Sequence, residues 1–484
     1  MKPQQKQLGQ FFTPPEVARS LVSWLAPRPA DRLLDPSCGN GQFLALHRRS
    51  VGVEVDATNA ALARQRAPSA LIHSGDFFTW ALKTTERFEL AVGNPPFIRY
   101  QLFSGDVRDR AAEVSSKLGA QFNGLSSSWA PFLIAAASLL EPGGSMAFVV
   151  PAEIGHATYA RPLLECLCRN FDIVGIVAIR TKLFPDLAED AWLLYCAGFG
   201  RQTDRIGFKT LEQFRETQHA PDFERFIPLT TWRTAGYRLR KFLLPSSFLA
   251  LYQEVSQRVG VRQFSDVAHA GIGYVTGAND FFHLRPSDAK RREIPRQCLR
   301  VAIRRSEQLP ARDVDAATVK TWLKADEPVL LLDLGKEKEV PESVRRYLDT
   351  ADAEAARKTY KCRNRNPWYV VPDVRVPDAF LSYMSGETAS LVTNSAGCVC
   401  TNSVHAVKLK NGLGIQRIQE AWQHPLTALS CELEGHPLGG GMLKLEPGEA
   451  AQTRLVLRDQ VISAIEQQEL VDAVSFMRRW RHYA

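Results

Sequence analysis

The sequence predicts an α/β protein: a doubly wound, mostly parallel sheet of seven strands, followed by a mixed α+β domain. Three observations carry that prediction. Through about residue 200, short apolar runs alternate with segments of helical periodicity, the pattern of strands joined by crossover helices. Glycine- and proline-bearing turns stand directly after two of the runs, where a doubly wound sheet places its ligand. Beyond about Gly200 the segments become longer, more mixed, and richer in arginine and aromatic residues. With 484 residues, 45% of them hydrophobic, the chain holds more than one core.

Taken in order, Thr13-Pro14-Pro15-Glu16 reads as a capping box with proline in the first turn. It opens a helix along which Val17, Leu21, Trp24 and Leu25 recur at helical spacing. Arg32-Leu33-Leu34 is the first strand and ends in the turn Asp35-Pro36-Ser37-Cys38-Gly39-Asn40-Gly41, after which 42–48 is predicted helical. Strands follow at 51–56, 70–73, 89–93, 146–150, 172–179 and 191–199, with a helix over 129–140. Residues 230–245 read as a linker or an approach to the second domain.

The net charge is +8, and the first 200 residues hold 19 Lys and Arg against 18 Asp and Glu. The basic excess therefore sits in the second part, which points to a polyanionic partner there. Residues 1–10 are polar and lack the apolar core of a signal peptide. The most apolar stretch, 131–150, is interrupted by Glu141-Pro142-Gly143-Gly144, so no membrane span is expected. Nine scattered cysteines without a C-x-x-C pair read as free thiols. None of the ten histidines falls in an H-E-x-x-H pattern, and no metal site is expected.

The chemistry lies in the turns. A glycine-bearing turn between strand and helix lets backbone amides approach a ligand. The absence of G-x-G-x-x-G argues against a dinucleotide pyrophosphate. Glu54, 19 residues beyond Asp35 at the end of the next strand, is placed to accept both hydroxyls of a ribose. Asp76, after the third strand, is placed to accept from the amine of an adenine ring. Together they describe a pocket for a nucleoside that carries no phosphate. The sharpest signal is Asn94-Pro95-Pro96-Phe97 after Gly93. Two prolines stiffen the backbone and remove two donors, presenting carbonyls without competing amides. An aromatic amine between the Asn94 side-chain carbonyl and the Pro95 carbonyl would donate two hydrogen bonds, which localises its lone pair on nitrogen. Phe97 offers a face for a base.

In their order along the chain, five segments resemble the gamma-class N6-adenine DNA methyltransferases of restriction–modification systems, of the TaqI type. They are Leu8-Gly9-Gln10-Phe11-Phe12-Thr13-Pro14, Asp35-Pro36-Ser37-Cys38-Gly39, Val53-Glu54-Val55-Asp56, Gly75-Asp76-Phe77 and Asn94-Pro95-Pro96-Phe97. The resemblance is specific through about residue 200 and looser beyond. It implies a catalytic domain over 1–238 with the S-adenosylmethionine-dependent methyltransferase sheet, and a DNA target-recognition domain over 239–484. The catalytic set is then Asn94, Pro95, Pro96 and Phe97. The cofactor set is Phe12, Thr13, Asp35, Pro36, Ser37, Cys38, Gly39, Glu54, Val55, Asp76, Phe77, Asn94, Pro96 and Phe132. Phe132, in Trp129-Ala130-Pro131-Phe132-Leu133, matches a phenylalanine packed on the cofactor adenine; a core position on an apolar helix is the competing reading. Phe184, in Leu183-Phe184-Pro185, matches a second aromatic that contacts the flipped adenine on the side opposite Phe97; ordinary loop packing is the alternative. Where the family often has tyrosine after the prolines, this chain has Phe97, which keeps stacking but loses a hydroxyl.

In the second part, Gly271 to Asp280, Lys361 to Tyr369 and Gly439 to Lys444 resemble target-recognition segments of the same family. Arg304, Arg305, Lys361, Arg363 and Arg365, with Trp368 and Tyr369, are the candidate DNA contacts; a solvated charged face is the competing reading. The implied partner is double-stranded DNA, with a separate restriction endonuclease as a second partner, and the implied location is the prokaryotic cytoplasm, on the nucleoid. Rival readings are amino-methylation of cytosine N4, of an RNA base or of a protein glutamine, and a DNA-binding subunit without catalysis. The intact Asp35, Glu54, Asp76 and Asn94 speak against the last.

Overall fold

A computed structural model describes residues 13–97, 105–122, 127–157, 159–185, 187, 189–335, 339–410, 414–458 and 462–483. The chain divides into two compact units, Met1–Leu243 and Leu244–Ala484.

The first unit is built on one nine-stranded sheet. Its strands are β1 (Leu33–Asp35), β2 (Ser50–Glu54), β3 (Leu71–Ser74), β4 (Phe88–Gly93), β5 (Leu140–Pro151), β6 (Phe171–Ile179), β7 (Ala191–Phe199), β8 (Arg205–Leu211) and β9 (Arg225–Pro228). The spatial order is β3-β2-β1-β4-β5-β7-β6-β8-β9. β1 to β5 run parallel, and β7 is antiparallel to both β5 and β6. All seven predicted strands are present, and β8 and β9 extend the sheet beyond them. The order reverses at β1, whose two neighbours are β2 and β4, so the turns after these strands open onto one edge. β1 and β2 are buried throughout, as strands covered on both faces must be.

The helices cover the sheet for readable reasons. α1 (Pro15–Trp24) buries Val17, Ala18, Leu21, Val22 and Trp24 on one face. Its predicted capping box does not form. Pro15 forces Pro14 into an extended conformation, so the cap falls on Pro14, which has no side-chain acceptor. α2 (Ala57–Arg66) and α3 (Phe77–Lys83) are capped by Asp56 and Asp76, whose carboxylates accept from Asn59 N at 2.9 Å and Thr79 N at 2.8 Å. α4 spans Asp106–Ser116. Every residue of α5 (Trp129–Ala137) is buried, as expected of a helix apolar all round. The chain then enters β5 at Leu140, earlier than predicted, with the Pro142-Gly143-Gly144 turn inside an irregular stretch of the β4–β5 ladder.

Two other expectations are corrected. The helix over 42–48 shrinks to a single 3-10 turn, Leu44–Leu46. The chain must reach β2 at Ser50, and the Ser50 hydroxyl donates back to Leu44 O at 2.9 Å, closing the connection early. Of the two readings of 230–245, the free linker does not hold and the approach to the second domain does: the stretch is ordered, with a helix at Leu229–Thr234 and Trp232 fully buried, then a 3-10 turn at Leu239–Leu243, and the division between the two units falls inside it. Tryptophan, leucine and phenylalanine supply there the apolar surface that a free linker lacks.

The second unit is mixed α+β, as predicted. One four-stranded sheet orders Ala268–Ile272, Val404–Leu409, Ala379–Ser382 and Leu391–Thr393, all antiparallel. A second orders His283–Leu284, Leu330–Leu332, Leu299–Ile303 and Val399–Cys400. The terminal helix Ala464–Arg479 packs on Pro425–Glu434. Just past it, the buried Arg481 guanidinium lies 2.8 Å from the buried Glu432 carboxylate, a pair whose separation would leave a lone charge in the interior.

Candidate active site

The parallel registers bring the singled-out turns together. Asp35 pairs with Gly52 of β2, so Glu54 lies two residues further along that strand. Leu34 pairs with Ala91 of β4, so Gly93 and Asn94 stand just past the level of Asp35. Glu54 pairs with Ser74 of β3, which places Asp76 two residues beyond. The four elements thus emerge side by side at the carboxyl edge of β3-β2-β1-β4.

Asp35 is fully buried. Its Oδ1 accepts from Ser37 N at 3.2 Å, while Oδ2 has no hydrogen-bond partner among the described residues. Burial pushes its carboxyl up to about 8, with the Ser37 amide pulling down and the neighbouring Glu54 charge adding to the rise. A Cβ on Gly93 would lie 3.1 Å from Asp35 Oδ1, so glycine there lets β4 pass close to the carboxylate. Gly39 and Gly41 take positive φ, +51° and +80°, turning the chain sharply after Cys38. The Gly39 amide donates to Glu54 Oε2 at 2.8 Å, and the Asp56 amide donates to Oε1 at 2.8 Å. Burial raises the Glu54 carboxyl above its ordinary value, and these two amides work the other way. Cys38 and Pro36 are buried, with the Cys38 side chain in a small core with Leu44, Ala60 and Ala63; what Cys38 presents to the turn is backbone.

On the neighbouring turn, Asp76 Oδ1 accepts from the Thr79 amide and hydroxyl, the latter at 2.7 Å, and Arg110 Nε lies 3.6 Å away. Phe77 stacks on Phe132 with ring centroids 5.3 Å apart and 23° between planes, and Phe78 meets Phe132 edge-on at 4.6 Å. Phe132 is nearly buried, so its packing role is real, yet it lies against the helix that Asp76 caps. Val55, by contrast, is 67% exposed beside Glu54, an aliphatic face left open at the strand end. Thr13 is buried, and Phe12 lies outside the described residues.

The double-proline turn is held on both flanks. Ser37 Oγ donates to the Asn94 backbone carbonyl at 3.4 Å, a long contact, and Ser128 Oγ donates to the Pro96 carbonyl at 2.6 Å. Pro95 is buried, Asn94 and Pro96 half-buried. Phe97 packs on the core cluster that contains Leu183 and the buried Phe184. In the sequence the Ser128 brace shows only as serines standing before the apolar helix. Beside it, Trp129 Nε1 donates to Glu153 Oε1 at 3.1 Å, and the Tyr159 hydroxyl donates to the same oxygen. Burial and the Glu153 charge push the Tyr159 phenol well above its ordinary value.

In the second unit the candidate DNA contacts divide. Arg305, Lys361 and Arg363 are exposed, the last with its guanidinium over the Tyr360 ring at 5.4 Å. Arg304 is mostly covered and pairs with Asp280 at 3.4 Å. Arg365 donates to the backbone carbonyls of Thr276, at 2.7 Å, and Val275. Trp368 and Tyr369 pack on the cluster around Phe281 and Phe282. Both are partly buried there, Trp368 against Phe281 and Phe282 and Tyr369 against Trp368, and so are not open stacking faces. A cleft of about 700 Å³ runs here, lined by Tyr274, Tyr360, Lys361, Arg375 and Lys408 among others. All nine cysteines are buried free thiols. Among the described residues no helix is long and apolar enough to cross a membrane, and no cluster of three or more His, Cys, Asp or Glu could hold a metal.

Known proteins match both units. Residues 237–481, just over half of the chain, match the family described as Type II methyltransferase M.Eco57I, C-terminal domain. Residues 2–194 match the family N-6 DNA Methylase. Type II methyltransferase M.AccI of Acinetobacter calcoaceticus is 20% identical over 464 residues, covering 92% of this chain and 84% of the relative. M.XamI of Xanthomonas campestris pv. amaranthicola is 22% identical over 470 residues, with 92% and 85% covered. M.CvrRI of Paramecium bursaria Chlorella virus XZ-6E is 30% identical over 189 residues, 36% of this chain and 45% of that one. The chain therefore belongs to the N6-adenine DNA methyltransferases of restriction–modification systems, an S-adenosylmethionine-dependent enzyme of the family that includes M.Eco57I.

Proposed function

We propose that the enzyme draws one adenine out of duplex DNA and methylates its exocyclic amine in the turn formed by Asn94, Pro95, Pro96 and Phe97. The observation that carries this is the meeting of two turns. Ser37, beside the buried Asp35, contacts the Asn94 carbonyl, so the place that fits a cationic nucleoside adjoins the place that fits an amine. Asp35 Oδ2, buried without a hydrogen-bond partner among the described residues, suits a positively charged or N–H-bearing ligand. Glu54 would hold a ribose, Asp76 an adenine amine, and Val55, Phe77 and Phe132 the faces of that ring. Thr13, Pro36, Cys38 and Gly39 complete the cofactor set. S-adenosylmethionine, when bound, supplies an electrophilic methyl group.

The chain's own residues do the rest. Asn94 Oδ1 and the Pro95 carbonyl accept the two N–H groups of the target amine, drawing the nitrogen towards tetrahedral geometry and freeing its lone pair. The prolines keep those acceptors fixed, so no reorganisation is needed at the moment of reaction. Phe97 and Phe184 offset part of the cost of unstacking, a few kcal/mol. The amine loses its extra proton only after attack, so no strong general base is required. Arg305, Lys361 and Arg363 contact the duplex, while Arg304, Arg365, Trp368 and Tyr369 shape the surface that carries them. We assign residues 1–238 to catalysis and 239–484 to target recognition. Within a restriction–modification system the enzyme would protect DNA from a separate endonuclease.

Long-read sequencing of DNA from cells expressing the protein tests this. Modified adenines in one repeated context are expected. Modified cytosines, or none alongside retained DNA binding, would point to a cytosine amino-methyltransferase or a binding subunit.

A further inference from the structure

We propose that Ser128 is a positioning residue for methyl transfer: its hydroxyl fixes the double-proline turn and so aims the Asn94 side chain and the Pro95 carbonyl. The inference rests on the assignment of that turn to the target amine. Ser128 occupies the N-cap position of α5 yet makes no side-chain cap to its own helix. Serine at that place ordinarily accepts from a backbone amide two or three residues on. Here the hydroxyl instead donates across the site to Pro96 O, 32 residues away, at 2.6 Å. Ser128 is fully buried, so its hydroxyl is shielded from water.

Its own position is anchored by the network that follows it. Trp129 Nε1 donates to Glu153 Oε1 and lies 3.2 Å from Tyr159 Oη, and Tyr159 Oη lies 3.3 Å from Ser127 Oγ. Trp129 is itself fully buried. The start of α5 is thus tied to the segment that follows β5, and Ser128 carries that rigidity to the turn after β4. Prolines hold the shape within the turn, the Gly93–Phe148 pairing and the long Ser37 contact hold its start, and the Ser128 bond to the Pro96 carbonyl holds its end. Small errors of aim at a reacting group are costly, reaching about a hundredfold in rate for a shift of about 1 Å.

The test compares Ser128→Ala, Ser128→Thr and Asn94→Ala in single-turnover transfer of a tritiated methyl group to duplex DNA. Ser128→Ala should lose about 10- to 100-fold in transfer rate, with wild-type dissociation constants for S-adenosylmethionine and DNA. Ser128→Thr, which keeps the hydroxyl, should recover most of the rate. Wild-type transfer by Ser128→Ala while Asn94→Ala is inactive overturns the positioning role and leaves the assignment of the turn standing. Equal losses in both Ser128 variants, or a loss that appears in cofactor or DNA binding, also overturns it. Full transfer by Asn94→Ala defeats the assignment of the turn itself.

Discussion

Asp35 is an acid held where an acid is costly. Its burial raises the folded-state carboxyl from 3.8 to about 8, so the folded protein retains a proton that the unfolded chain has released. The sign follows directly: stability is greatest below about pH 4 as far as this group is concerned, falls as pH rises towards about 8, and is flat above. Asp35→Asn should remove that decline. Urea titrations of the cofactor-free protein between pH 5 and 9 should show wild type losing stability relative to the variant; parallel profiles would show that Asp35 is solvated or paired. At this scale the positions of the candidate residues are legible in the sequence. Asp35 and Glu54 end their strands, Asp76 and Asn94 stand just past theirs, and polar residues at strand ends are legible from pattern alone. Ser128 was not, because its partner is 32 residues away and only the fold brings Pro96 to it.

The turn after β1 is an element whose shape depends on two glycines. Gly41 has φ +80°, and a Cβ there would stand 2.9 Å from the Ala63 Cα of α2, backbone that has little room to yield. Left-handed strain and overpacking together predict that Gly41→Ala costs about 2–4 kcal/mol and weakens cofactor binding. Chemical denaturation and equilibrium cofactor binding check both; a loss below about 1 kcal/mol with normal binding would mean that the turn tolerates a side chain. The seven strands were legible because continuous apolar runs bounded by turns have few other uses. The helix over 42–48 was not, since the requirement that ended it, reaching β2 by Ser50, is a property of the sheet. The capping box failed for a local reason, the conformational effect of Pro15 on Pro14, that the motif itself does not display. β8, seven residues paired between β6 and β9, and β9, a four-residue edge strand, lie in a polar, turn-rich context that hides them in the sequence.

At the scale of the molecule, two units with separate cores match two families, one for each half of the chain. The basic excess of the second part is visible in sequence, but which cations are spent on structure is not. Arg365 and Arg481 look alike in a list of arginines, yet the first is bound to main-chain carbonyls and the second is locked to Glu432. The central claim is that Asn94 grips the amine that receives the methyl group. The most direct measurement is tritiated methyl transfer to duplex DNA by wild type and Asn94→Ala, with the labelled nucleoside identified and DNA affinity measured on the same samples. The account predicts N6-methyladenine from wild type, none from the variant, and equal DNA affinity. Label on another base, or a variant that transfers as fast as wild type, would contradict it.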